Sequence, residues 1–113
     1  MKQRSRSAVL AVSPGGTVAI TYYDFRNNTP AATLPTDFWA VTCMDGCTKP
    51  GSWRERHIEG PFGARAVPAT TSGRMLGDYT GLTASGPAFV AVYGVATGGT
   101  ANPVDLHGAA FYN

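Results

Sequence analysis

Short apolar runs, each ended by a glycine or proline turn, recur along most of the chain. Residues 7–13 and 17–24 are the first two runs, and they flank Pro14, Gly15 and Gly16, so they predict a β-hairpin. Alternate residues of a strand point to opposite faces, and in residues 17–24 neither set is strongly polar. Because both faces of this strand need cover, we expect it to lie between other layers of structure.

Two further strands extend this hairpin into a predicted sheet. Residues 26–36 have the composition of a loop, and residues 37–43 predict a third strand. Residues 52–58 predict a fourth strand, which we assign to the outer edge because it is more polar. The four strands together predict an antiparallel meander, which is followed by an irregular stretch at residues 60–73.

The pattern restarts in the last third of the chain. Residues 76–84 and 88–94 predict a second hairpin, and residues 104–112 predict a third strand that no fourth strand follows. The two hairpins share a weak repeat, since residues 10–13 are similar to residues 82–85. Repeated four-stranded meanders with two apolar faces favour an all-β fold made of β-propeller blades, with a two-sheet sandwich as the alternative.

These elements divide the chain into four segments. We predict a disordered tip at residues 1–6, a propeller blade at 7–60, an inter-blade loop at 61–75 and an incomplete final blade at 76–113. Propellers have at least about four blades, and this chain supplies one to two. The pattern therefore predicts the C-terminal end of a longer protein. The missing blades of that protein, or other copies of this chain, are the expected protein partners.

Composition favours strands over helices and argues against two kinds of partner. The 113 residues include 14 glycines and 8 prolines, and the seven acidic residues mark no helical face. The net charge of +2 comes largely from Lys2, Arg4 and Arg6, so the chain indicates no nucleic-acid partner. The longest apolar stretch, residues 88–96, is too short to cross a membrane, and residues 1–5 lead into no signal-peptide core.

The two cysteines, Cys43 and Cys47, flank an Asp-Gly turn. This spacing predicts a local disulfide, with free buried thiols as the alternative. A disulfide indicates an oxidising compartment, and we expect an extracellular or cell-surface location. Neither the cysteine spacing nor the separation of His57 and His107 fits the common zinc sites, so we predict no metal, no cofactor and no role for the histidines.

Three segments, residues 11–27, 42–53 and 75–82, resemble the bacterial sialidase-like proteins with BNR or Asp-box repeats. The resemblance implies a six-bladed β-propeller. The Asp box of that family, Ser-x-Asp-x-Gly-x-Thr-Trp, occupies the turn between the third and fourth strands of a blade. Here Asp45 and Trp53 retain parts of a degenerate box, which in the family braces the turn and performs no chemistry.

The resemblance also implies candidate catalytic and binding residues. Sialidases use a tyrosine nucleophile, because a carboxylate would be repelled by the anionic sugar, and arginines that bind the sugar carboxylate. Tyr79 occupies the place of the nucleophile with Asp78 beside it, and Arg26 is the nearest candidate for a clamping arginine, with Asp24 close by in the sequence. The other catalytic groups belong to earlier blades, so the isolated chain is expected to be inactive.

Structural interpretations compete with these roles. Tyr79 could fill space beside the propeller axis, Asp78 could bond to neighbouring backbone or line the central funnel, and Asp24 and Arg26 could form a surface ion pair. For the whole protein, an exo-acting glycoside hydrolase of the sialidase type is the leading interpretation. A non-catalytic propeller segment that binds glycan or protein and a structural remnant are the alternatives.

Overall fold

The computed structural model describes residues 6–24, 26, 35–63, 69–70, 73–74, 80–97 and 104–112. Most of them lie in nine strands: β1 (Arg6–Val12), β2 (Val18–Asp24), β3 (Pro35–Cys43), β4 (Arg54–Gly63), β5 (Ala69–Thr70), β6 (Gly73–Arg74), β7 (Gly81–Ser85), β8 (Ala88–Ala96) and β9 (Val104–Tyr112). A single turn of 3-10 helix, Pro50–Ser52, precedes β4. The described part of the chain is therefore all-β, as the sequence predicted. It includes no helix with the length and apolar character needed to span a membrane.

The strands form three antiparallel sheets. The first sheet has the order β1-β2-β3-β4 and the second sheet has the order β7-β8-β9, whereas β5 and β6 form a short separate hairpin. Both larger sheets are meanders, because each strand pairs with the next one in sequence. The predicted edge position of the polar fourth strand is confirmed. Among the described residues, neither larger sheet closes on itself.

Several strand boundaries differ from those that the pattern indicated, and the stretch at residues 60–73, which was predicted to be irregular, includes the end of β4 and most of the hairpin of β5 and β6. The largest differences are in β4 and β7. β4 continues to Gly63, five residues beyond Ile58, and β7 begins only at Gly81. The alternation of β4 is interrupted where the register shifts, since Trp39 pairs with His57 whereas Phe38 pairs with Glu59. A bulge of this kind hides the second half of a strand from a search for strict alternation.

The two larger sheets stack face to face and bury their inner faces. The buried residues of this layer come mainly from β2, β3 and β8. Phe38 lies almost parallel to Tyr93, with ring centroids 4.2 Å apart, and contacts Tyr23 at 4.9 Å. Such aromatic contacts add stabilisation beyond the area that they bury. This inter-sheet layer is the core of the described chain.

The stacked sheets have two different ends. At the turn end lie the turns at residues 13–17, 43–47 and 85–88. The turn at residues 43–47 is closed by a disulfide between Cys43 and Cys47, and the indole N–H of Trp53 donates to the carbonyl oxygen of Cys47 at 2.9 Å.

The opposite end is named the polar end and is defined by Asp24, Asp37, Glu59, Tyr93 and His107. Glu59 of the first sheet contacts both Tyr93 and His107 of the second sheet. The polar ends of the two sheets therefore lie on the same side of the stack.

Candidate functional site

Arg26 is the centre of a charged network at the polar end of the first sheet. Asp24, the last residue of β2, is buried, and its Oδ2 accepts a hydrogen bond from Arg26 Nε at 2.7 Å. Glu55 of β4 accepts from both terminal nitrogens of Arg26, at 2.7 Å and 2.8 Å. The guanidinium lies flat over Trp39, with its central carbon 3.7 Å from the ring centroid. This cation–π contact and the paired bonds hold Arg26 in one orientation.

The electrostatics of the network follow from these contacts. Hydrogen bonding to Arg26 lowers the pKa of Glu55 from 4.5 to about 2. Burial, together with a 2.5 Å hydrogen bond that the hydroxyl of Tyr22 donates to Glu55, raises the pKa of Tyr22 to about 12. The pKa of Arg26 is raised as well, chiefly by its bonds to Glu55. At neutral pH Glu55 is therefore a carboxylate, Arg26 a guanidinium and Tyr22 a neutral phenol.

The occupied bonds limit what Arg26 can bind. Of its five N–H groups, three donate to Asp24 and Glu55, and a fourth is directed at the hydroxyl oxygen of Tyr22 at 3.4 Å. One N–H is left. A carboxylate ligand could therefore accept one hydrogen bond from Arg26 without disturbing the network. The two parallel hydrogen bonds expected of a clamping arginine would require displacement of Glu55.

A second buried carboxylate lies directly opposite Asp24. Asp24 and Asp37 are cross-strand partners in β2 and β3, and both are buried. Asp37 accepts a hydrogen bond from His57 Nε2 at 2.7 Å, so this nitrogen carries the proton when the carboxylate is ionised. Gly60 packs against the same carboxylate, with a φ of +122°. Two carboxyl groups face each other here, and Arg26 binds Asp24 while His57 binds Asp37.

A third polar group joins the two sheets. Oε1 of Glu59 accepts hydrogen bonds from the hydroxyl of Tyr93 and from Nδ1 of His107, each at 2.8 Å. Beside it, the hydroxyl of Tyr23 donates to the carbonyl oxygen of Gly94 at 2.7 Å. Burial raises the pKa of Tyr93, and the neighbouring Glu59 carboxylate raises it further. The Glu59 contact orients the imidazole, and Nε2 of His107 has no hydrogen-bond partner among the described residues.

The structure brings some of the predicted site residues together. Asp24 and Arg26 form an ion pair, as their structural interpretation proposed, although Asp24 is buried and does not lie at the surface. Tyr79 and Asp78 lie outside the described residues. Thr80, which follows them in sequence, is described and shares a hydrogen bond with the hydroxyl of Tyr23. No three His, Cys, Asp or Glu side chains of the described ranges gather as metal ligands.

The two histidines require a correction. The sequence indicated no partner for either, and the structure pairs His57 with Asp37 and His107 with Glu59. Both partners are distant in sequence, and the bulge in β4 turns His57 to one face of the sheet and Glu59 to the other. Glu55, the main partner of Arg26, was missed for the same reason. Contacts that depend on strand register cannot be predicted from the spacing of residues along the sequence.

An open groove of about 500 Å³ lies at the turn end, opposite the polar end. Its lining includes Pro14, Met44, Pro87 and Tyr112, and no charged side chain lines it. The polar end is therefore the better place to look for a charged ligand. In comparisons with known proteins, no family model, no curated protein and no solved structure matches this chain.

Proposed function

We propose that this chain is part of a sialidase-like β-propeller, in which its two larger sheets are adjacent blades and its polar end belongs to a glycan site that other blades complete. The observation that carries the proposal is the character of the two outer faces, the faces turned away from the inter-sheet core. Both carry exposed apolar side chains. On the first sheet these lie toward β1, whereas the Arg26 network covers the part of the face toward β4.

The outer face of the first sheet has its exposed apolar residues on β1. Leu10 and Val12 are 59% and 54% exposed, and the partly buried Ile20 and Val41 lie in the same cross-strand row as Leu10. The outer face of the second sheet carries its own set of exposed apolar side chains, namely Val90, Val92, Leu106 and Tyr112. Contiguous exposed apolar surface of this kind usually marks an interface.

A two-sheet sandwich does not account for this pattern. The outer faces of a sandwich meet water and are polar, whereas each blade of a propeller is covered on both sides.

The glycan part of the proposal is supported by the polar end and by the resemblance to sialidase-like proteins. Arg26 follows β2 and Thr80 precedes β7, so the sequence segments that carry the clamp and nucleophile candidates adjoin the same end of the two sheets. In this proposal Tyr79 is the nucleophile, and Arg26 contributes to the sugar carboxylate the N–H that has no acceptor among the described residues. Blades outside this chain supply the base, the acid and the other arginines.

The network around Arg26 also favours a second candidate, a non-catalytic propeller segment that binds glycan or protein. A guanidinium held by two carboxylates and a tryptophan is suited to bracing the loop after β2. In this reading, Arg26 stabilises the polar end and takes no part in chemistry.

The blade arrangement is tested by placing a charge on each outer face. In the isolated chain, Leu10→Asp and Val92→Asp should each change the free energy of unfolding by about 0.5 kcal/mol or less, because both sites are exposed. In a longer polypeptide that includes the reading frame upstream, the same substitutions should cost about 3 kcal/mol or more, because a charge is then buried. Thr48→Asp, in an exposed turn, is the control. Equal effects in the two contexts would reject the arrangement.

The activity is tested in the same longer polypeptide with a fluorogenic sialoside. Hydrolysis should fall about 100-fold or more in Tyr79→Phe if Tyr79 is the nucleophile. Unchanged hydrolysis in Tyr79→Phe would remove Tyr79 from the mechanism. Absence of hydrolysis in the unmodified polypeptide, combined with binding of sialosides, would favour the non-catalytic candidate.

A further inference from the structure

We propose that β9 is an interaction edge, which pairs antiparallel with β9 of a second copy of this chain, in the register that places Gly108 opposite Gly108. The inference goes beyond the proposed function, because neighbouring blades cover the faces of a sheet whereas this contact uses its edge. In this contact β9 of the second copy takes the position beside β9 that β4 takes beside β3 in the first sheet.

The first observation is that β9 is an unprotected edge. Nine successive residues of β9 pair with β8 without a register shift, and among the described residues β9 pairs with no other strand. A long, regular edge leaves a row of backbone N–H and C=O groups available to another strand. Natural proteins usually guard such edges with bulges, prolines or charged side chains. Asp105 is the one acidic residue of β9, which contains no lysine, arginine or proline.

One of the two edge strands of the first sheet, β4, provides the contrast. β4 includes Arg54, Glu55 and Arg56, contains Pro61, and shifts register twice against β3. These are the features that block pairing with another chain. β4 and β9 therefore differ in how readily they can pair with another chain, although each lies at the edge of an antiparallel meander.

The second observation is that β9 is complementary to itself. Antiparallel pairing about Gly108 sets Leu106 opposite Ala110 and Val104 opposite Tyr112, so apolar residues meet on the outer face. On the other face, Asp105 meets Phe111 and His107 meets Ala109, so no like charges lie opposite each other. Gly108 lies at the symmetry axis, where its missing side chain leaves room for close approach.

The paired edges would also extend the apolar outer face. Residues directly opposite each other in paired strands have their side chains on the same face of the sheet. The exposed Val92 and Leu106 of one copy would therefore form one continuous apolar surface with Val92 and Leu106 of the other copy. The first sheet shows that such a meander can take a further antiparallel strand. There β4 pairs with β3, and β3 corresponds to β9, which pairs only with β8 among the described residues. An isologous pair of this kind forms a closed dimer.

Gly108 offers a test of the register. A Cβ added there would lie 3.7 Å from the carbonyl oxygen of Ala91, an ordinary contact, so the site tolerates a side chain. Gly108→Asp sets two carboxylates opposite each other only in the dimer, and Gly108→Lys sets two ammonium groups there. Thr83→Asp is the matched control, because it places a charge on the same exposed outer face but on β7.

The measurement is sedimentation velocity of the disulfide-bonded chain over a concentration series. We expect a reversible dimer for the unmodified chain and for Thr83→Asp. Each Gly108 variant alone should raise the dimer dissociation constant about fivefold or more, and an equimolar mixture of the two variants should restore it. Circular dichroism checks that each variant keeps its strands.

Three results would overturn the inference. The unmodified chain could stay monomeric at every concentration. Thr83→Asp could weaken the dimer as much as Gly108→Asp, which would indicate that the outer faces dock instead of the edges. The mixture of Asp and Lys variants could remain as weak as either variant alone, which would exclude the proposed register.

Discussion

Phe38 is the residue on which the stacking of the two sheets most depends. It is fully buried in β3, with Tyr93 of the second sheet on one side and Tyr23 of its own sheet on the other. Phe38→Ala removes both ring contacts and leaves a cavity in the layer between the sheets. Phe38→Leu keeps most of the volume and removes only the aromatic contacts.

The expected magnitudes follow from this packing. Replacing a buried phenylalanine by alanine costs about 3 to 5 kcal/mol, in which each aromatic contact accounts for about 0.5 to 1.5 kcal/mol. A chain of this length is stable by about 6 kcal/mol at the low end of the usual range, which is the end we expect while two apolar faces are open. Phe38→Ala should therefore lose at least half of the stability, and Phe38→Leu about 1 to 2 kcal/mol.

The assay is urea unfolding followed by tryptophan fluorescence. The slope of the unfolding free energy against urea concentration must be the same for every variant. Val90→Ala is the control, since Val90 lies on β8, the strand of Tyr93, but on the open outer face. It should change stability by about 0.5 kcal/mol or less. If Phe38→Ala costs no more than Val90→Ala, the two sheets do not pack through this residue and the described core is wrong.

Three further predictions concern the acidic range, the disulfide and a glycine. The Glu55 pKa of about 2 means that its bond with Arg26 contributes fully above pH 4.5 and is lost as the pH falls toward 2. The contribution should be about 1 kcal/mol, because Glu55 is partly exposed, and acid titration of Glu55→Gln should lack this loss. Reduction of the five-residue loop closed by Cys43 and Cys47 should cost about 2 kcal/mol in urea unfolding, and the double alanine variant should not respond to reductant. Gly60→Ala should cost about 3 kcal/mol by the same assay, because its Cβ would lie 2.8 Å from a backbone carbonyl oxygen at a positive φ.

Each of these has an outcome that contradicts it. An acid titration that is the same for Glu55→Gln and the unmodified chain would show that the Arg26 network does not stabilise the fold. A urea midpoint that ignores reductant would mean that the turn is held without its disulfide. A Gly60→Ala variant of normal stability would show that the bulge in β4 can relax.

The sequence by itself determined the strands and their local pairing. Short apolar runs, separated by the turns at residues 14–16 and 85–87, were sufficient to predict both hairpins, because neighbouring strands in a meander are joined by the chain itself. The disulfide between Cys43 and Cys47 could also be predicted, because the two residues are close in the sequence. The apolar character of both faces of β2 also came from the pattern, and with it the expectation of cover on two sides.

Only the tertiary structure decided which polar groups meet. Glu59 contacts Tyr93 and His107 across 34 and 48 residues of sequence, and Tyr23 reaches Gly94 across 71. These residues meet only when one sheet stacks on the other. The bulge in β4 determines the face of the sheet on which His57 and Glu59 lie. Strand register and sheet packing are properties of the whole chain, so no local spacing could predict the polar end.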